Sequence, residues 1–197
     1  MSKPFSQSCE NNKQYILDII CHEYHAGSRV LEIGSGTAQH VTHFAAAMPT
    51  VQWLPSDLPR NLATVQAGLA DCILRNIAAP VALDVAAEAW PVAEVDGIFT
   101  ANTLHIMSEA HVDMFFRGVK RALRPGGTLC VYGPFKYGGE FTTPSNARFD
   151  AWLKERDPLS GVRDFERIDA LAQAAGLLLH ADHALPANNQ LLVWRRA

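Results

Sequence analysis

The sequence has no closely spaced cysteine pair, no block of like charge and no long apolar run, and each lack removes a class of protein. Its four cysteines, Cys9, Cys21, Cys72 and Cys130, stand far apart without a C-x-x-C spacing. That argues against a disulfide framework or a zinc site, and for reduced thiols in a cytoplasmic protein. With 17 Lys and Arg against 20 Asp and Glu, the net charge is −3. No basic stripe interrupts this balance, so no nucleic-acid partner is expected. No stretch reaches membrane-spanning length, and the opening MSKPFSQSCENNK lacks an apolar signal core, so no membrane is expected either. Repeats, linkers and low-complexity segments are also missing. Three His-x-x-His spacings (His22/His25, His40/His43 and His180/His183) fall on different expected elements without a third ligand beside them, and no metal is expected.

What is present suits one globular domain over 1–197: 197 residues, 48% of them hydrophobic. A polar arm and a helix with Tyr15, Ile16, Ile19 and Ile20 on one side occupy 1–28. The run VLEIGSGTAQH, from Val30, reads as a strand ending in a glycine turn, followed by a short helix to Ala47. VQWLPSD gives a second strand ending at Asp57, Pro59 opens a helix expected to reach about Arg75, and PVALDV gives a third strand ending near Asp84. A fourth strand lies in VDGIFTANTLHIM. Ser108 then caps a helix carrying Val112, Phe115, Phe116, Val119 and Leu123, which Arg-Pro-Gly-Gly at 124–127 breaks. TLCVYGPF is strand five. An insert over 136–163 holds a short helix with Phe149, Trp152 and Leu153 on one side, and inserts of this size usually carry function. A helix to Ala175 and two closing strands complete the chain. Strands alternating with helices predict an α/β, doubly wound, mainly parallel seven-stranded sheet with an antiparallel edge strand. Ligands in such sheets bind beyond the C-terminal strand ends, where Gly34, Gly36, Asp57, Asp84 and Asn102 gather.

Two ligand classes suit the turn. The dinucleotide fingerprint G-x-G-x-x-G meets Gly34 and Gly36 but finds Gln39 at its third position, and Glu32 stands just before the first glycine. An acid, one spacer and G-x-G resemble instead the first motif of class I S-adenosylmethionine-dependent methyltransferases. Beyond that motif, SCENNK, LEIGSGTAQH, PSD, IFTANTLHIM, PGGTLCVYGPFKYGG, SNARFD, RDPLSGVRD and PANN together resemble a family of methyltransferase-like proteins of unassigned function found in bacteria and animals. The resemblance covers nearly the whole chain and implies a Rossmann-like fold and S-adenosyl-L-methionine as cofactor, with S-adenosyl-L-homocysteine as product. It implies that Glu32, Gly34, Ser35, Gly36, Thr37 and Gln39 hold the cofactor's amino-acid part and that Asp57 and Leu58 meet its ribose. Asp84 and Val85 are then expected at its adenine and Asn102 near the transferred methyl. The chain departs from the family's G-S-G-T-G by having Ala38.

His105 is the most reactive-looking residue near this site, as a base or as a packed, positioning side chain. Tyr137 joins it as a catalytic candidate, and Tyr132, Arg148, Asn188 and Asn189 are placed to hold an acceptor. Phe149 and Trp152 are expected in the core. The expected activity is in-line methyl transfer to a small molecule in an enclosed pocket, by a monomer or homodimer. The alternatives are a cofactor-binding interaction protein without catalysis and a nicotinamide-dependent oxidoreductase, the latter disfavoured by Gln39 and by the lack of a Tyr-x-x-x-Lys pair.

Overall fold

The computed structural model describes residues 3–197; Met1 and Ser2 of the expected N-terminal arm lie outside them. In chain order the elements are α1 (Gln7–Glu23), β1 (Arg29–Ile33), α2 (Gln39–Ala47), β2 (Gln52–Asp57), a 3₁₀ turn (Pro59–Asn61), α3 (Leu62–Leu69), β3 (Val81–Ala82) and β4 (Val95–Ala101). A second 3₁₀ turn (Leu104–Ile106), α4 (Glu109–Ala122), β5 (Leu123–Gly133), β6 (Phe135–Tyr137), β7 (Glu140–Phe141) and α5 (Pro144–Arg156) follow. The chain closes with β8 (Arg163–Asp164), α6 (Phe165–Ala174), β9 (Leu177–Leu185), a third 3₁₀ turn (Pro186–Asn188) and β10 (Asn189–Arg196).

Seven strands form one sheet in the order β3-β2-β1-β4-β5-β10-β9. Only β10 runs against its neighbours, between β5 and β9, so the antiparallel strand sits one place inside the edge. The period of two along each strand feeds two cores. Leu31, Ile98, Leu129 and Trp194 join Val112, Phe115 and Phe116 of α4 and Ile168 of α6. Their neighbours Val30, Phe99, Cys130 and Val193 join Ile16 and Ile20 of α1, Phe44 of α2 and Val65 of α3. The sheet is therefore covered on both faces, as a doubly wound sheet must be. Serine caps start two of the helices: Ser6 Oγ accepts from Cys9 N in α1, and Ser108 Oγ from His111 N in α4. Among the described residues no helix is long and apolar enough to cross a membrane.

Two local expectations fail, and one feature is unannounced. The helix opened by Pro59 stops at Leu69, far short of Arg75. Asn76 accounts for this, because its Nδ2 donates to the carbonyls of Ala45, Met48 and Val51 and its own carbonyl accepts from Trp53 N, so the chain must leave the helix early. The third strand shrinks to Val81–Ala82, since Ile77 already takes a bridge position beside Trp53 on the same edge of β2. The insert also builds a small sheet of its own, β7-β6-β8, from pairings too short to leave a periodic signal.

Candidate active site

The glycine turn after β1 is stapled to β2. Gly34 N and Ser35 N both donate to Ser56 O at 2.9 Å, Ser35 Oγ accepts from Ser56 N, and Gly36 N donates to Asp57 Oδ2 at 2.8 Å. Gly34 has a φ of +77°, and a Cβ there would stand 2.5 Å from Thr103 Cγ2, so both conformation and space require glycine. Beneath the turn, Glu32 is 2% exposed and its Oε2 has no hydrogen-bond partner. Burial, reinforced by the Asp57 charge and opposed by a hydrogen bond from Ser35, pushes its carboxyl up to about 7.

A cavity of about 790 Å³ opens above the strand ends. Gly34, Ser35, Gly36 and Thr37 line it from β1, Ala101 and Asn102 from β4, His105 from the loop beyond, and Tyr132 from β5. Asn188 and Asn189 join them because β10 runs backwards and so begins at the edge where the parallel strands end. Helix α1 contributes Cys9, Asn12 and Tyr15 to one wall, and α5 contributes Asn146, Phe149 and Trp152 to another. Three of the four non-glycine residues with positive φ, Asn102, Ala187 and Asn188, line this cavity; the fourth, Ala38, lies between the lining residues Thr37 and His40. Backbone strain thus concentrates at the site, as it does where ligands are clamped.

Several expected residues stand elsewhere. Gln39 does not line the cavity: its Oε1 accepts from Ser6 N at 2.6 Å and from Thr37 Oγ1, and its Nε2 donates to Glu10, so it straps α1 onto α2. Asp57 is buried behind the turn, with Oδ1 accepting from Leu58 N and Asn61 Nδ2. Leu58 likewise stays outside the lining. Asp84 is exposed and accepts from Ala86 N, while Val85 packs in the core beside Leu83 and Trp90. Tyr137, expected to be catalytic, donates to Asp182 Oδ2 at 2.6 Å and stacks on Phe165, outside the cavity. Burial and the Asp182 carboxylate raise its phenol pKa, which suits it poorly to proton transfer. Arg148 is exposed on α5 and does not line the site. Phe149 and Trp152, expected in the core, are cavity walls instead.

Sequence reasoning missed the pair beneath α1. His40 Nε2 and Asn12 Oδ1 lie 2.6 Å apart, buried, and burial lowers the His40 pKa to about 4, helped by His43 and Lys13. The signal was present in SCENNK, a polar string whose Asn12 is buried on an otherwise amphipathic helix. The His105 pKa is likewise lowered to about 4, by burial and by Arg163. Arg163, 6% exposed, clasps the loop that carries His105: its guanidinium donates to the carbonyls of Leu104, Met107 and Leu159 and pairs with Glu109. Among the described residues no group of three or more metal-ligating side chains gathers.

The model of the family described as "Protein of unknown function (DUF938)" matches residues 3–196. Solved structures similar to the chain include methyltransferases. An O-methyltransferase family protein from Burkholderia thailandensis matches with a TM-score of 0.82 and 14% identity, over 96% of this chain and 57% of that one. The S-adenosylmethionine-dependent methyltransferase SibL, in its apo form, matches at 0.79 and 22%, over 96% and 55%. CalO1, a methyltransferase in calicheamicin biosynthesis in an SAH-bound form, matches at 0.74 and 17%, over 95% and 54%. The chain therefore spans little more than half the length of these proteins, and the likeness is one of fold: the class I methyltransferase sheet.

Proposed function

Because the chain belongs to the DUF938 family and has the class I methyltransferase fold, we propose that it is an S-adenosylmethionine-dependent methyltransferase acting on a small molecule in the cavity above the strand ends. The observation that carries this reading is Glu32: a buried carboxyl with an orphaned oxygen beneath a glycine turn whose own N–H groups are already spent. A phosphate cradle needs free backbone donors, and the donors of Gly34, Ser35 and Gly36 are all taken. An unpaired buried acceptor calls for a donor, such as the ammonium of an amino-acid moiety. The residues present thus fit the sulfonium cofactor better than a dinucleotide.

When bound, the cofactor supplies a methyl group already activated on sulfur, which leaves as a neutral thioether. The chain's own tasks are then grip, alignment and exclusion of water, and alignment alone supplies large accelerations in such reactions. The Gly34–Thr37 turn lines the cavity and holds the amino-acid end, with Glu32 buried in β1 beneath it and outside the lining; Asp57 fixes the turn from behind, and Asn102, His105 and Tyr132 line the same cavity. Helix α1 and helix α5 form the flanks that close around an acceptor. The Ala38 methyl does not crowd this space: Ala38 is buried, and its Cβ lies near the position a Cβ on Gly68 would take.

Calorimetry tests the proposal. S-adenosylhomocysteine is expected to bind saturably and NAD to give no heat. Saturable NAD binding with no response to S-adenosylhomocysteine would overturn it.

A further inference from the structure

The cavity has a second chemistry beside the glycine turn. Tyr15 of α1 and Phe149 and Trp152 of α5 line it with aromatic rings, and Asn11, Asn146 and Asn188 line it with amides. Asn146 Nδ2 already donates to Thr142 Oγ1 and Asn188 O, and Asn188 Nδ2 to Ser145 Oγ, which leaves the Oδ1 atoms of Asn146 and Asn188 and the Asn11 Nδ2 for a ligand. Phe149 and Trp152 stack with centroids 5.8 Å apart and planes at 18°, and His105 meets Phe149 edge to face at 5.2 Å. Trp152 is 45% exposed, whereas Trp53, Trp90 and Trp194 are buried. Arg156 covers one face of Trp152, 4.0 Å from the ring centroid, and the apolar surface that the Phe149–Trp152 pair still exposes to the cavity is suited to being covered by something flat.

Charged side chains are missing from the same lining. Among the described residues no Asp, Glu, Lys or Arg side chain lines the cavity, and both of its histidines are neutral near pH 7. The cations on the elements behind the walls stand outside this lining. Arg163 is spent on three carbonyls and Glu109, and Arg156 sits 4.0 Å from the Trp152 ring centroid without lining the cavity. A carboxylate or phosphate placed against these rings would lose its water and gain no counter-ion from the lining, at a cost that the amides only partly offset.

We infer that the acceptor is an uncharged, flat aromatic molecule with a polar edge, stacked against Phe149 and Trp152 and hydrogen-bonded by the asparagines around them. This rests on the methyl-transfer reading for its role as acceptor, while the preference for a neutral ring is a property of the cavity itself.

The test titrates three probes of matched shape by calorimetry near neutral pH, with and without saturating S-adenosylhomocysteine: 2-naphthol (neutral), 2-naphthoate (anionic) and 2-naphthylmethylammonium (cationic). The neutral probe is expected to bind at least about tenfold more tightly than either ion. Trp152→Ala should lose about tenfold of that affinity and Trp152→Phe should keep most of it, with circular dichroism confirming that both variants fold. Equal or tighter binding of either ion, no binding of 2-naphthol in either condition, or an unaltered affinity in a folded Trp152→Ala would overturn the inference. The failures are separable: selective 2-naphthol binding without any S-adenosylhomocysteine binding upholds the ring preference and removes the methyl-transfer reading. Cofactor binding without 2-naphthol binding does the reverse.

Discussion

His105 shows how a single residue's chemistry is decided by what surrounds it. Free imidazole titrates near neutrality, but burial and the Arg163 guanidinium hold this ring near 4, so it is neutral and weakly basic near pH 7. A ring so placed aligns and packs; it is a poor proton acceptor. His105→Asn is therefore expected to lower turnover about tenfold or less, compared with the ~10²–10⁴-fold that loss of a general base costs. The profile of turnover against pH should show no inflection near 6.5 in the parent protein. Activity lost in the Asn variant and recovered steeply at high pH would instead make His105 an essential base. Ala38 makes a parallel point: with φ at +60° it pays left-handed strain that glycine would not, yet its methyl is buried against α3.

Among the elements, α3 governs the glycine turn from behind. Gly68 sits inside α3, where helix propensity alone would favour alanine, and the reason is contact: a Cβ there would overlap the Thr37 carbonyl and stand 3.1 Å from Ala38 Cβ. Gly68→Ala gains about 1 kcal/mol of helix propensity. It is nevertheless expected to lose about 1–3 kcal/mol by overpacking and to weaken S-adenosylhomocysteine binding. Urea unfolding and calorimetry check both, and a stabilised variant with unchanged affinity would contradict the account. At this scale the sequence was legible wherever a period was long enough to read. Val112, Phe115, Phe116 and Val119 announced α4, and Val30 with Leu31 announced the central strand that feeds both cores. The early end of α3 was not legible, because it depends on Asn76 reaching three carbonyls distant in sequence. Nor was the wall made by Phe149 and Trp152, since an aromatic stripe looks the same whether it faces a core or a cavity. The turn residues of the candidate site could be read from local grammar, whereas Gln39 and Tyr137 could not, their partners Ser6, Glu10 and Asp182 being supplied by the fold.

Over the whole molecule, the buried titrating groups set a pH range for stability. His40 and His105 have folded pKa values depressed from 6.5 to about 4, so unfolding takes up a proton at each as pH falls through that range, and stability is lost towards acid. Glu32 is raised from 4.5 to about 7, so the native state keeps its proton and stability is lost as pH rises towards 7. Two histidines outweigh one carboxyl below 6.5, and only the carboxyl acts just above it. The urea midpoint is therefore expected to peak near pH 6.5, falling on the acid side by on the order of 1 kcal/mol per pH unit. Glu32→Gln should remove the alkaline decline and His40→Asn should soften the acid one; a midpoint flat from pH 5 to about 7 would refute this assignment. The position of β10 carries a last consequence, for the birth of the chain. Synthesis delivers β5 and β9 before the strand that must slide between them, so a nascent chain already holding Leu129, Cys130 and Val131 in place presents that side of β5 with its ladder unfilled. Until Leu191, Val193 and Trp194 emerge, another chain's strand could take the vacancy, and chaperone demand during translation should concentrate in that interval.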